Sequence, residues 1–243
     1  MSNLLIWGKN GKMGQMILKM AKEDPFWLQV QGIGSHEDED SWSLKPDVVV
    51  DFSHPSSLDR LLDFCLKRSC SLVIGTTGYT EQQNQQIDAA SAKITLVKSA
   101  NMSLGMNLLF SLAKDAAAIL KDSVDIEVVE AHHNRKKDAP SGSARTIVES
   151  IEKGLGEKRS HVNGREGQCP RKPGEIGIHS IRGGNIVGRH EASFIHELES
   201  ITLVHEAHNP SVFAKGALEA AKFALDAKPG LYDMKDVLRM EQS

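Results

Sequence analysis

The stretch NLLIWGKNGKMG, residues 3–14, sets the architecture of the chain. Leu4 to Trp7 form a short apolar run that Gly8 closes. Gly11 and Gly14 follow, and a helical pattern runs from Lys12 to Lys22 with Met13, Ile17 and Met20 on one face. Strand, glycine turn and helix in this order begin a βα unit. Glycine at such a turn permits a tight bend. It also lets a phosphate approach the backbone N–H groups at the helix start. The spacing is G-x-x-G-x-x-G rather than the commoner G-x-G-x-x-G, and a plain glycine-rich turn uses the same letters. The elements that follow must therefore supply the context.

They continue the alternation. WLQVQGIG reads as a second strand. SHEDEDSWSLKP is an acidic loop. DVVVDFS is a run buried on both faces, as a central parallel strand is. PSSLDRLLDFCLKRS opens a helix on proline and repeats Leu58, Leu61 and Leu62. Strand SLVIG, a helix around Glu81 to Ala92 and strand KITLVKS complete the series. Strand and helix alternating at this spacing predict a doubly wound parallel sheet with helices on both faces.

The pattern changes after Asn101. A long helix, Leu104 to Lys121, carries Met106, Leu109, Phe110 and Ala113 on one stripe. VDIEVVEA alternates with period two, which predicts a sheet with one solvated face or a groove wall. SARTIVESIEKGL is helical, and Glu175 to Glu206 read as short strands with Gly-Gly-Asn at a hairpin-like turn. A last, alanine-rich helix, Val212 to Ala227, is expected to return to the first sheet. The fold class is thus α/β first and α+β second, with the C-terminus closing the first domain.

Composition bounds the function. The chain has 243 residues, 25% charged and 40% hydrophobic, which is ordinary globular usage. A net charge of -3 argues against a nucleic-acid partner, so local cations are expected to meet a small anion. Cys65, Cys70 and Cys169 are few, unevenly spaced and without a CxxC, which predicts neither disulfide framework nor zinc site. No apolar stretch approaches membrane-spanning length, and the N-terminal apolar run is too short for a signal peptide. The expectation is a cytoplasmic protein without metal.

Two further loops support a dinucleotide at the first glycines. GTTG, Gly75 to Gly78, and SANMS, Ser99 to Ser103, each follow an apolar strand. In open parallel sheets ligands bind beyond the carboxyl ends of the strands. An acid ending the second strand would hydrogen-bond the 2′-hydroxyl of NAD. Here Gly34, Ser35 and His36 occupy that position, and Glu37 comes slightly late. Lys9 and Lys12 nearby would accept a 2′-phosphate, so NADPH is expected as well as NADH. Asp38 to Asp40 read as a solvated loop.

The densest polar segment is EAHHNRKKDAPSGSA, Glu130 to Ala144. A histidine is the commonest proton donor near neutral pH. A nearby lysine adds a fixed cation and a second acid. Cations beside an imidazole lower its pKa, and an anionic substrate restores it. Ser141, Gly142 and Ser143 place small residues at a helix start, where hydroxyls and free N–H groups cradle an anion. The segment suits a carboxylate-bearing substrate that receives a proton. A zinc pair at His132 and His133 is disfavoured, because adjacent side chains splay apart and lysines neighbour them. Ser141 and Ser143 lack the G-x-S-x-G elbow of a nucleophile. Arg135 and Lys137 read as surface or field-setting residues. His179, His190, His196, His205 and His208 read as structural.

This segment resembles the signature of the 4-hydroxy-tetrahydrodipicolinate (dihydrodipicolinate) reductase family, close to E-x-H-H-x-x-K-x-D-A-P-S-G-T-A. GKNGKMG, DVVVDFSHP, VIGTTG, SANMSLGMNLL, IHSIRGGNIVG and FAKGALEAAKF extend the resemblance over most of the chain. It implies a Rossmann-like, doubly wound dinucleotide-binding domain at 1–103 and 212–243. It also implies an α+β substrate-binding and tetramerisation domain with an open mixed sheet at 104–211. It implies His132 as proton donor and Lys136 as second donor, with His133, Ser141, Gly142 and Ser143 toward the substrate. It implies NADH or NADPH on Gly8, Lys9, Asn10, Gly11, Lys12 and Met13, on Gly75, Thr76 and Thr77, and on Ser99, Ala100, Asn101 and Met102. The partners it implies are a small cyclic dicarboxylate and, in a homotetramer, further copies of the chain.

The implied reaction is hydride transfer from the nicotinamide to the dicarboxylate ring, completed by protonation of the adjacent carbon. Ser143 stands where the family has threonine and keeps the hydroxyl. HEAHNPSVFA departs from the family's usual S-S-R before the last helix. Other two-domain NAD(P)-dependent enzymes are the rival class. An aspartate-semialdehyde dehydrogenase would need a catalytic cysteine, and none of the three lies in an active-site loop. A non-catalytic dinucleotide sensor would not need the proton-donor cluster.

Overall fold

A computed structural model describes residues 2–34, 37 and 45–239. Ser35, His36 and Asp38 to Asp40, singled out above, lie outside the described residues. The chain forms two compact units, residues 1–104 with 211–243, and residues 105–210. Among the described residues no helix is long and apolar enough to cross a membrane.

The first unit is a parallel sheet of β1 (Ser2–Trp7), β2 (Trp27–Ile33), β3 (Val48–Asp51), β4 (Ser71–Ile74), β5 (Thr95–Lys98) and β11 (Gly230–Tyr232). The order is β11-β5-β4-β3-β1-β2, with every pair parallel. Val48, Val49 and Val50 are all fully buried, because helices cover both faces of this central strand. One face carries α1 (Lys12–Glu23) and α6 (Ser211–Asp226). The other carries α2 (Leu58–Arg68) and α3 (Glu81–Ser91). Alanines 214, 217, 220, 221 and 224 line the buried stripe of α6 and bring its backbone close to the sheet. The expected return of the last helix is therefore met. The edge strand β11 is an addition that its short GLY triplet did not announce.

The second unit holds α4 (Leu104–Leu120), β6 (Asp125–His132), α5 (Gly142–Leu155), β7 (His161–Asn163), β8 (Ile176–Arg182), β9 (Gly188–Ile195) and β10 (Ser200–Ala207). The remaining short helix, α7 (Met234–Val237), belongs to the first unit. The second sheet is mixed, in the order β10-β9-β6-β8-β7. Ile126 and Val128 of β6 pack with Met106, Phe110, Ile147 and Ile151 on the helix-covered face.

The Gly-Gly-Asn turn does not close a hairpin. β8 pairs parallel to β6, β9 pairs antiparallel to it, and β6 lies between them. The loop 183–187 instead steps over the end of β6. The Gly183 N–H donates to the His132 carbonyl at 2.9 Å, and the Asn134 N–H donates to the Gly184 carbonyl at 3.2 Å. Turn chemistry gave the reversal. The long-range pairing of β6 with both neighbours determined which strands meet.

Candidate active site

The glycine turn has three distinct duties. Gly8 has φ +93°, a left-handed conformation, and a Cβ there would meet the Phe52 carbonyl at 2.7 Å. Gly14 packs α1 against the turn, since a Cβ there would fall 2.2 Å from the Gly8 carbonyl oxygen. Gly11 is under no such packing demand; its nearest neighbour would be 3.4 Å away. Gly11 is the N-cap of α1 and brings no side-chain acceptor to the first-turn amides. The fold requires Gly8 and Gly14. Gly11 leaves the helix start open to an anion.

Gly8, Asn10 and Gly11 line a cavity of about 460 Å³ together with Gly34, Ser53, His54 and Arg60. Lys9 lies beside it, its backbone N–H on the Ile33 carbonyl and its ammonium 2.5 Å from Glu37. Lys12 is exposed at the first position of α1, and Met13 is half-buried against the core. The neighbouring loops are tied together. The Ser53 N–H donates to Thr76 Oγ1 at 2.9 Å and to Asp51 Oδ1 at 3.1 Å. Burial pushes the Asp51 carboxyl above its ordinary range. Thr76 is thus buried and engaged, while Thr77 is exposed. The Ser99 hydroxyl closes its own loop by donating to the Asn101 carbonyl at 2.8 Å. Ala100 is exposed, and the Met102 side chain is in the core. These residues fit a dinucleotide: a capless helix start, an open Gly11 and small loops at the carboxyl ends of β1, β4 and β5.

The second cluster gathers at the end of β6. Glu130 shares the helix-covered face with Ile126 and Val128, and it is fully buried. Its Oε2 lies 2.6 Å from His132 Nδ1. Arg182, at the end of β8, grips both carboxylate oxygens at 2.9 and 2.7 Å. The Ser141 N–H adds a fourth contact at 3.1 Å. Burial raises the Glu130 carboxyl, but the hydrogen bonds from Arg182 and His132 outweigh it and hold it at about 2. Burial lowers the His132 pKa, Glu130 opposes this, and Lys136 and Arg182 add to the lowering; the net direction is down. Lys136, the cation read from the sequence, acts in the expected direction, with burial the larger cause.

Around this core the other residues take their places. Lys136 is held by Asp138 at 2.9 Å. Ser141 is buried and caps α5 by accepting from the Ala144 N–H at 3.2 Å. Its hydroxyl also meets His190 Nε2 at 3.2 Å. Gly142 is exposed at the first position of α5, and Ser143 is half-buried beside it. His133 keeps a buried Nδ1 with no hydrogen-bond partner among the described residues. Arg135 instead reaches out to Asn185 at 3.0 Å. The Ala139–Pro140 peptide bond is cis.

Three members of this cluster escaped the sequence. His190 read as structural, yet its ring lies 5.1 Å from that of His132. Burial, and then the charge on His132, push its pKa down to about 4. Arg182 sat in a glycine-rich turn with no visible partner. Glu130 has a signal in the sequence: two residues before His132 on a period-two strand, it must share that residue's face.

Comparison with known proteins agrees along the whole chain. The profile described as "Dihydrodipicolinate reductase, N-terminus" matches residues 2–102, and that described as "Dihydrodipicolinate reductase, C-terminus" matches residues 105–238. The chain belongs to the dihydrodipicolinate reductase family. Relatives named 4-hydroxy-tetrahydrodipicolinate reductase include one from Alkaliphilus oremlandii, 61% identical and covering 98% of this chain and 99% of its own. One from Caldanaerobacter subterraneus is 45% identical over 98% of this chain and 99% of its own. Among solved structures, a dipicolinate-bound dihydrodipicolinate reductase from Paenisporosarcina sp. TG-14 shares the fold. Its TM-score is 0.81 at 24% identity, covering 97% of this chain and 99% of that one.

Proposed function

We propose that this protein is an NAD(P)H-dependent reductase of 4-hydroxy-tetrahydrodipicolinate, acting in diaminopimelate and lysine biosynthesis in the cytoplasm. The observation that carries the reading is His132. It stands at the end of β6 with a buried carboxylate on one ring nitrogen and the start of α5 in the same cluster. Such a cluster holds an anion and delivers a proton.

Gly8 to Met13 with Gly75 to Thr77 and Ser99 to Met102 would hold the cofactor, Gly11 leaving room for its pyrophosphate at the start of α1. When bound, the nicotinamide supplies the hydride. The chain's own residues do the rest. The N–H groups of Gly142 and Ser143, the Ser143 hydroxyl and the unpartnered His133 Nδ1 would receive the substrate carboxylates. Ser141 contributes by fixing the start of α5, its hydroxyl being engaged within the protein. Because Glu130 is an anion, it accepts from His132 Nδ1–H. Nε2 is then the atom that gives up the proton. Lys136 becomes a second donor on leaving Asp138.

Both NADH and NADPH are proposed as cofactors. No acid ends β2, and Glu37, three residues past Gly34, is paired with Lys9. Glu37 serves ribose hydroxyls, and Lys9 serves a 2′-phosphate once Glu37 yields it. A homotetramer is proposed through the helix-free face of the second sheet. Val204 of β10, Glu191, Val129 and His179 form one row across that face, and Val204 and Ile181 are each 50% exposed.

The experiment is loss of the NAD(P)H absorbance band when the product of the preceding synthase is added. Loss with both cofactors supports the reading. No loss with either overturns it in favour of a dinucleotide sensor. His132→Gln should cut turnover about 100-fold or more with little change in cofactor affinity.

A further inference from the structure

We propose that Glu130, clamped by Arg182, is the positioning residue of the proton donor: it fixes the proton of His132 on Nδ1 and so presents Nε2 to the substrate. This rests on the reading of His132 given above. A carboxylate that is 0% exposed is costly to bury unless it is paired and hydrogen-bonded. Glu130 meets that condition with two contacts from Arg182 and one each from His132, the Ser141 N–H and the Ser180 hydroxyl.

A purely structural role explains this poorly. Ile126 and Val128 fill the same face of β6 with apolar side chains. A well-packed apolar residue at position 130, with another at 182, would serve the fold without any desolvation cost. What an apolar pair cannot do is choose a tautomer. An ionised carboxylate only accepts hydrogen bonds, so the nitrogen facing it must carry the proton. The second nitrogen is then the one that exchanges protons.

Arg182 supplies the other half of the device. A carboxylate facing an imidazole 2.6 Å away competes with it for one proton. The bidentate guanidinium keeps Glu130 anionic, so the proton stays on the ring. Arg182 also donates to the Asp138 carbonyl at 2.7 Å, which ties the clamp to the loop that carries Lys136. The charged and titratable groups around His132 are Glu130 on its own strand, Lys136 and Asp138 on the following loop, Arg182 on β8 and His190 on β9. His205 on β10 acts on His190 in turn.

The two members of the clamp should shift the enzyme in opposite directions. Glu130 raises the His132 pKa, so Glu130→Gln lowers it further. The limb of kcat that falls as pH rises through the His132 pKa then moves to lower pH. Arg182 lowers the His132 pKa, so Arg182→Met moves the same limb to higher pH. Turnover of Glu130→Gln at neutral pH should fall about 100-fold, with the KM for NADH unchanged.

The test is the pH profile of kcat for Glu130→Gln, Arg182→Met, the double variant and His132→Gln, with a thermal midpoint for each. In the double variant the midpoint should recover relative to Glu130→Gln, because no buried charge is left unpaired, while turnover should stay low. A double variant that regains wild-type turnover with its midpoint overturns the positioning role. So does Glu130→Gln with a wild-type limb while His132→Gln collapses, and in that case His132 stands as the donor. Wild-type turnover in His132→Gln overturns both.

Discussion

A Cβ atom on Gly14 would lie 2.2 Å from the carbonyl oxygen of Gly8, whereas one on Gly11 would come no closer than 3.4 Å to anything. The same turn therefore contains glycines of two kinds. Gly14→Ala forces α1 away from β1, an overpacking that costs about 1–3 kcal/mol. Its thermal midpoint should drop. Gly11→Ala replaces a neutral N-cap, at a cost of no more than about 1 kcal/mol. It should keep most of the midpoint but raise the dissociation constant for NADH about 10-fold, as read by quenching or cofactor fluorescence. Full NADH affinity in Gly11→Ala would remove this turn from the cofactor site.

On the proposed reading, the Lys9–Glu37 pair makes cofactor choice a matter of one charge. Lys9→Ala should raise the KM for NADPH several-fold and leave that for NADH nearly unchanged, since a ribose hydroxyl has no need of the ammonium. Glu37→Gln should do the reverse, favouring NADPH by freeing Lys9 and weakening NADH. Affinity for NADPH should also fall with added salt more than that for NADH, because an exposed ammonium–phosphate attraction is screened. Side-by-side steady-state kinetics at two salt concentrations check this. Equal effects on both cofactors in Lys9→Ala would place the lysine away from the 2′ position.

His190 gives the second unit a pH-dependent stability. Its pKa in the folded protein is about 4, against the 6.5 of an ordinary histidine. Between those values the unfolded chain binds a proton that the folded chain refuses, so stability falls as pH falls through this window and levels off below it. His132 and His205 are displaced in the same direction and add to the effect. His190→Asn should therefore make the urea midpoint less steep between about pH 6.5 and 4, without flattening it. A wild-type slope in His190→Asn would show that the buried ring is not the group that resists protonation.

Much of this was legible in the letters, and the rest was hidden for physical reasons. The βα series could be read because each strand and helix announces itself by local period, and Val48 to Val50 announce burial on both faces. His132 and Lys136 could be read as candidates for the roles proposed above, because proton chemistry selects few residue types. Arg182 and His190 could not. Each is brought to Glu130 and His132 by strand pairing over some fifty residues, through the 52-residue separation of Glu130 and Arg182 and the 49-residue separation of Ser141 and His190. The misread hairpin has the same cause. Gly183 to Asn185 specify a reversal of the chain but not the strand that lies between its two arms.

That intervening strand bears on the proposed homotetramer. β6 is covered by α4 and α5 on the face of Ile126 and Val128, and its opposite face presents Glu127, Val129 and Ala131. Across that face run Val204, Glu191, Val129 and His179 in one register row, and Arg189, Ala131 and Ile181 in the next. Polar contacts among them are satisfied locally: His179 meets Glu127 at 2.8 Å, and Arg189 meets Glu191 at 2.8 Å. The face pairs Glu127 and Glu191 locally, carries Glu206 opposite Arg189, and shows half-exposed apolar side chains at Val204 and Ile181. That combination suits an identical sheet, where the same patch meets itself about a two-fold axis. A protomer mass of 26.6 kDa sets the scale for light scattering after gel filtration. The native protein should run at about four times the protomer mass. Val204→Asp places a charge at the middle of the row and should give dimers or monomers, with the thermal midpoint of the isolated protomer close to that of a Val204→Thr control. A Val204→Asp protein of native mass would move the assembly surface off this sheet.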